Sequence, residues 1–465
     1  MSLNHKSQSA LEYMMTYGWA ILVIVIVAAV LYSLGIFSPS SSLSTTITGF
    51  SNLGTVNAVC LGGTSFTISM GDSTGYPINV TEINLTSSSG KTTYSPNILI
   101  QPNSIQTVTV PSSSLCTSGA RYSVSAVVSY LEPGQIFPGP YTSTGTVAGT
   151  ANSPPSSATF YEPLNIANTQ SQGTSSPFQQ MINVTSTSPG WGDISSSPFG
   201  QNVEFFSSTG QILDSWLENY TSTHAIWWVK LTSSIPAGSK QTIYMGFAST
   251  STNLFNTVND GEAPQLSSTY AEYDDGANVF TNYWNFAGTS LPSGWSSSGG
   301  GSITVNNGVS LSYNRQGPFV EGPTEISSGM VLDALVSAPS NGEINIGGFS
   351  NGYVADYGFT GPPAIWAIGP TYNGVVQGWV AASNTPAAAA NTRYVITFYY
   401  NSGAMILLAN YQIATSTSDT FSSPQYISFN GYGVSGAGEG FIQWIRTRAY
   451  PPNGVMPSVS FGSVS

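Results

Sequence analysis

Two hydrophobic periodicities divide the chain. Residues Gln8 to Phe37 read QSALEYMMTYGWAILVIVIVAAVLYSLGIF. From Tyr13 onward this stretch carries no charged residue for about 25 positions. As a helix it extends ~37 Å, enough to cross a hydrocarbon core. Its apolar residues cover every face, so it needs lipid or other helices around it. After a short linker at 38–44 (SPSSSLS) the period changes to two. Thr64–Met70 (TSFTISM), Asn79–Leu85, Ile105–Val110 and Tyr122–Val128 alternate polar and apolar residues and predict strands. Gly, Pro and Ser clusters separate them closely, which predicts a β-sandwich over 45–150. A second linker follows at 151–159, with Pro154 and Pro155. The alternation restarts over 160–265, at Gln201–Phe206, His224–Lys230 and Gln241–Phe247. A third unit spans 266–465. The expected fold is mainly β: one long N-terminal apolar α-helix, then about three β-sandwich (jelly-roll-like) domains.

Charge narrows the function. Nine Lys and Arg stand against twenty-one Asp and Glu, a net charge of −12. A nucleic-acid partner needs a basic surface, so none is expected. Hydrophobic residues still make up 40% of the chain, enough for packed cores. The two cysteines, Cys60 and Cys116, lie in the first β unit. In an exported protein such a pair forms a disulfide; the alternative is two buried thiols. Asn79, Asn84, Asn183 and Asn219 stand in glycosylation sequons.

The N-terminus carries its own signals. His5 and Lys6 precede the apolar run, so the N-terminus stays cytoplasmic and the helix runs outward. The run is too long for a secretory h-region, and no small-residue cleavage site follows it. Glu12 stands at its edge, where a carboxylate is costly in lipid unless paired. The segment Lys6-Ser7-Gln8-Ser9-Ala10-Leu11-Glu12-Tyr13 resembles the class III signal peptide (leader 1–7) of archaeal type IV pilin-like proteins. That resemblance implies cleavage between Ser7 and Gln8 by a prepilin-type signal peptidase. It also implies that Glu12 pairs with the N-terminal amine of a neighbouring subunit in a filament. Ser7 departs from the glycine found in many relatives.

The segment 160–265 resembles a β module of unassigned function in prokaryotic surface proteins. The resemblance rests on Asp214-Ser215-Trp216-Leu217-Glu218, Ala225-Ile226-Trp227-Trp228-Val229-Lys230, Ile235-Pro236-Ala237-Gly238 and Ile243-Tyr244-Met245. The segment 266–465 resembles a concanavalin A-like lectin or glucanase jelly roll, from Tyr273-Asp274-Asp275 and Tyr283-Trp284-Asn285-Phe286 to the closing Gly440–Arg448 strand. Hydrolases of that shape carry Glu-x-Asp-x-x-Glu on one strand. Here Glu321, Glu325, Asp333, Glu343, Asp356 and Glu439 stand singly. No Gly-x-Ser-x-Gly, His-Glu-x-x-His or P-loop occurs either, so no enzyme is expected. Glu272, Asp274, Asp275 and Asn278 crowd one loop with oxygen donors that suit Ca²⁺, or form a solvated acidic turn. Tyr353, Tyr357, Trp366 and Trp379 are candidates for stacking on sugars. His224 has no second histidine near it in the sequence and reads as a structural residue. Trp227 and Trp228 fall on opposite faces of their strand. The chain therefore reads as an adhesive cell-surface subunit of a type IV pilus-like filament. The alternative is a membrane-anchored carbohydrate-binding surface protein that does not polymerise. Expected partners are the signal peptidase, other pilins, the membrane and surface glycans.

Overall fold

A computed structural model describes residues 45–51, 53–359, 364–421, 424–433 and 438–464, with no account of the Val56 and Gln316 side chains. The apolar stretch Gln8–Phe37 lies outside them. Among the described residues no helix is long and apolar enough to cross a membrane. The chain divides into two compact units, one ending at Ser153 and one beginning at Pro154.

The first unit is built from alternation. In the strand Ser65–Asp72, Phe66, Ile68 and Met70 are buried. The intervening Thr67 and Ser69 hydroxyls meet Thr109 and Thr107 on the strand Ile105–Pro111 at 3.0 and 2.8 Å. These two strands and Leu53–Leu61 form a three-stranded sheet. A six-stranded sheet contains Thr46–Gly49, Tyr141–Thr150, Arg121–Leu131, Ile78–Thr86, Lys91–Tyr94 and Ile98–Ile100. One apolar core joins the two sheets. Cys60 and Cys116 are bonded within it, their Cα atoms 6.6 Å apart.

The second unit holds two sandwiches. The first pairs a five-stranded sheet, which includes Phe160–Ala167 and Lys240–Phe247, with a four-stranded sheet. The latter runs Phe178–Thr185, His224–Leu231, Ser215–Tyr220, Asp260–Glu262. Ile182, Phe205, Trp227 and Met245 fill its core. The second sandwich has two eight-stranded sheets around a larger core. One sheet is centred on Gly438–Ala449 and Met330–Ser337. The other runs through Gln316–Ile326, Gln425–Gly433, Gly342–Gly348, Tyr353–Gly358 and Ile365–Tyr372.

The two sandwiches do not part at residue 265. The strand Ser458–Phe461 returns to the five-stranded sheet and pairs with Phe160–Ala167, placing Phe461 opposite Leu164. A second apolar cluster joins Trp216 and Trp228 to Phe280, Val395 and Trp444. Trp227 and Trp228 do take opposite faces, but both faces are covered. The face bearing Trp228 packs on the second sandwich rather than meeting water.

Candidate cleft on the outer sheet of the second sandwich

Three neighbouring strands build the site. In Gly342–Gly348 (GEINIGG), Ile344 and Ile346 point into the core. Glu343 and Asn345 therefore point to the other face. In Tyr353–Gly358, Ala355 and Tyr357 are core and Asp356 takes the other face. In Gln425–Gly433, Ile427 and Phe429 are core and Asn430 and Tyr432 face away. The register completes the arrangement. Asn345 lies directly opposite Asp356 on one side and Asn430 on the other. Directly opposed side chains have Cβ atoms roughly 5 Å apart, so these three form one row. Glu343 lies opposite Tyr432 and Gly358. A Cβ at Gly358 would lie 2.3 Å from Glu343 Cβ, so only glycine leaves the glutamate its place.

A cleft of about 400 Å³ opens above this row. Glu343, Asn345, Asn430 and Tyr432 line it from the sheet, and Val375, Val376 and Trp379 line it from the adjoining hairpin. The half-buried Trp379 ring lies over Gly369, where a Cβ would come within 2.8 Å of it. The floor is dry. Glu343, Asn345 and Asp356 are 5%, 1% and 0% exposed. Both Asp356 oxygens and the Oδ1 atoms of Asn345 and Asn430 are buried without a hydrogen-bond partner. Asn345 Nδ2 lies 3.5 Å from Glu343 Oε1, at the outer limit of a hydrogen bond. Burial pushes the Glu343 carboxyl up to about 7, against the Asn345 contact. Burial, and then repulsion from Glu343, raises Asp356 well above the carboxylate range. Buried polar groups in folded proteins are nearly always paired, so this concentration of free acceptors marks a place where a ligand belongs.

The residues expected from sequence are distributed differently. Of the four sugar candidates, Trp379 alone reaches the cleft. Tyr357 and Trp366 are fully buried and stack at 4.5 Å in the core. Their polar atoms are spent on the backbone, Tyr357 Oη on Ala389 O and Trp366 Nε1 on Pro386 O. Neither presents a face to a sugar, because cross-strand pairing puts both on the inward side. Tyr353 is half-buried and packs against the core and Phe421.

The acidic loop also differs from expectation. Asp274 accepts hydrogen bonds from Trp216 Nε1, Tyr283 Oη, Asn285 Nδ2 and the Gly276 amide, at 2.7–3.1 Å. Its oxygens are saturated by donors. Asn278 Nδ2 donates to the Thr257 and Val258 carbonyls. Glu272 is exposed while Asp275 is buried beneath Gly261. Among the described residues no three His, Cys, Asp or Glu side chains are grouped to hold a metal, so Glu272, Asp274, Asp275 and Asn278 do not form the expected Ca²⁺ site.

His224 Nδ1 meets Thr221 Oγ1 at 2.9 Å within its own turn. Lys230 Nζ donates to Asp214 and to the Asn278 carbonyl. Among the sequons, Asn183 is exposed. Asn79, Asn84 and Asn219 are half-buried on strands. Ser7, Gln8 and Glu12 lie outside the described residues.

Residues 199–298 match a family described as a domain of unknown function, DUF2341. The match crosses residue 265, as the packing does. A stretch of 339 residues is 28% identical to uncharacterized protein 562 of Sulfolobus islandicus rod-shaped virus 1, covering 63% of this chain and 58% of that relative's length. Similar solved structures include the carbohydrate-binding module CBM66 from Bacillus subtilis. It is 12% identical over 34% of this chain and 96% of the module, with a TM-score of 0.28. They also include the Bacillus licheniformis β-glucanase, 14% identical over 36% of this chain and 97% of the enzyme, with a TM-score of 0.30. The Emp47p carbohydrate recognition domain is 9% identical over 34% of this chain and 90% of that domain, with a TM-score of 0.28.

Proposed function

We propose that this chain is a surface carbohydrate-binding protein whose ligand occupies the cleft above Asn345 and Asn430. One observation carries the reading: unpaired buried acceptors converge on the floor of a cleft walled by a tryptophan. Sugar hydroxyls supply the donors these oxygens lack, and Trp379 offers the apolar ring that stacks on a pyranose face. The described lining contains no Lys or Arg. The ligand is therefore a neutral sugar, since Glu343 would repel uronates, sialic acids and sulfated glycans. The N-terminal apolar segment would hold the protein at the cell surface, with the N-terminus inside. A glycan array probed with the full chain in detergent tests the reading. Neutral glycans should be retained, and Trp379→Ala should lose them at least tenfold. Retention of acidic glycans alone, or no retention, rejects it.

The sequence at Lys6–Tyr13 favours a second role, that of a pilin-like subunit. In that reading a prepilin peptidase removes residues 1–7, and Glu12 pairs with the freed amine of Gln8 on another copy. Mature protein starting at Gln8 in a sheared filament fraction is the expected result. An uncut N-terminus kept wholly in membranes rejects it.

A further inference from the structure

The carboxyls of Glu343 and Asp356 pose a problem that a neutral sugar does not solve. They sit on adjacent strands, almost fully buried, one residue step apart in register. Among the described residues the ion pairs engage Asp214, Glu218 and Asp333, and none engages Glu343 or Asp356. Two buried carboxylates without a cation are strongly unfavourable. They are relieved by taking up protons or by a shared cation. The neighbouring groups bear on which. A proton satisfies only the carboxyls and leaves the amide oxygens of Asn345 and Asn430 bare. A hard cation would use all of them, because carboxylate and amide oxygens are the donors that Ca²⁺ takes. The row Asn430–Asn345–Asp356, with Glu343 beside it, presents such oxygens from three adjacent strands. Sulfur and imidazole, which would turn the site toward zinc or copper, take no part in the cleft lining.

We propose that Glu343 and Asp356, with the side-chain carbonyl oxygens of Asn345 and Asn430, hold a divalent cation of the Ca²⁺ class at the floor of the cleft. The two carboxylates balance its charge. The site differs from the acidic loop at 272–278 in place and in donors. It also gives the cleft a second means of gripping a sugar, because vicinal hydroxyls can complete the coordination of a Ca²⁺ that the protein leaves open. This last step rests on the glycan reading; the cation site itself does not.

The test uses the full chain in detergent, stripped with EGTA and titrated with CaCl₂. Calorimetry should give one saturable site, and the thermal midpoint of the second unit should rise by roughly 5 °C at a hundredfold excess over Kd. Asp356→Asn keeps the shape and removes a charge. It should abolish the Ca²⁺ response while raising the Ca²⁺-free midpoint, which also demonstrates that the variant folds. Asn430→Asp should preserve or strengthen the response. No Ca²⁺-dependent heat or shift in the wild type overturns the proposal, as does an undiminished response in Asp356→Asn. Repeating the glycan array in EGTA separates the two readings. Ca²⁺ binding without glycan retention removes the sugar and leaves the cation. Glycan retention with no Ca²⁺ response does the reverse.

Discussion

Arg446 donates to Glu218 at 2.6 Å across 228 positions of sequence, with both side chains essentially buried. The guanidinium also reaches Asp333 through Nε at 2.9 Å, and Arg448 Nε meets the same carboxylate at 2.8 Å. Burial alone would raise Asp333, but Arg448 and Arg446 hold it below its ordinary value. Around this network lie the rings of Trp216, Trp228, Phe280 and Trp444, each within about 5 Å of the Arg446 guanidinium carbon. Glu218 belongs to the first sandwich and Arg446 to the second. The pair is where the two sandwiches of the second unit become one cooperative body.

Removing one partner of this pair should therefore be severe. Glu218→Ala leaves Arg446 short of a counter-charge in a dry site, a loss of roughly 3–5 kcal/mol. Urea unfolding followed by tryptophan fluorescence should show the midpoint drop for both sandwiches together. A loss below ~1 kcal/mol, or two separate transitions in the wild type, contradicts this account.

The disulfide acts only on the first unit. It closes a loop between residues 56 positions apart and so restricts the unfolded chain. The chain-entropy argument assigns it ~4 kcal/mol. Replacing Cys60 and Cys116 together with Ala should lower the stability of the first unit by about 2–4 kcal/mol. The thermal midpoint of the second unit should stay unchanged. Equal stability with and without the bond would contradict the argument.

Stability should also fall as pH rises. Burial pushes the Asp275 carboxyl up to about 9 from 3.8, and repulsion from Asp274, Asp260 and Asp214 adds to it. Asp260 and Glu343 are pushed up to about 8 and about 7, with burial as the leading cause. For each, the folded chain keeps a proton that the unfolded chain has released. The contribution is fully present below the unfolded value near 4 and is lost as pH climbs through the folded value. In EGTA, the thermal midpoint of the second unit should decline from about pH 4 to pH 9. Asp275→Asn should flatten that slope and raise the midpoint at pH 8. A midpoint that climbs with pH would contradict the assignment.

Much of the fold could be read from residues. The alternation in Thr64–Met70 and Tyr122–Val128 named strands and their inward faces, because one side of those strands meets water. The cleft could not be read this way. Gly342–Gly348 is buried along its whole length, so its exposure does not alternate even though its side chains do. Glu343 and Asp356 looked unrelated at 13 positions apart. The hairpin that joins their strands sets the register, and that register makes them neighbours. The useful signal was the polar spacing Glu343-x-Asn345 inside an apolar strand. Tyr357 and Trp366 misled for a related reason: a large aromatic in a lectin-like strand reads as a platform until its cross-strand partner shows that it faces inward. Trp216 and Trp228 carried no sequence sign that a distant strand would cover them.

The glycine beside Glu343 gives the sharpest test of the cleft's geometry. Gly358→Ala would bring a Cβ to 2.3 Å from Glu343 Cβ and 3.0 Å from its Cα. The second of these is backbone, so no rotamer change relieves the contact and the two strands must separate or shift. Overpacking of this kind costs about 1–3 kcal/mol. The displaced Glu343 would leave the row formed by Asn345 and Asp356. The variant should remain folded, with a modestly lowered midpoint, and lose both Ca²⁺ response and glycan retention by more than tenfold. Glu343→Ala in the same background creates the missing space. It should restore most of the stability without restoring the Ca²⁺ response. If Gly358→Ala binds as the wild type does, Glu343 has no part in the cleft's chemistry.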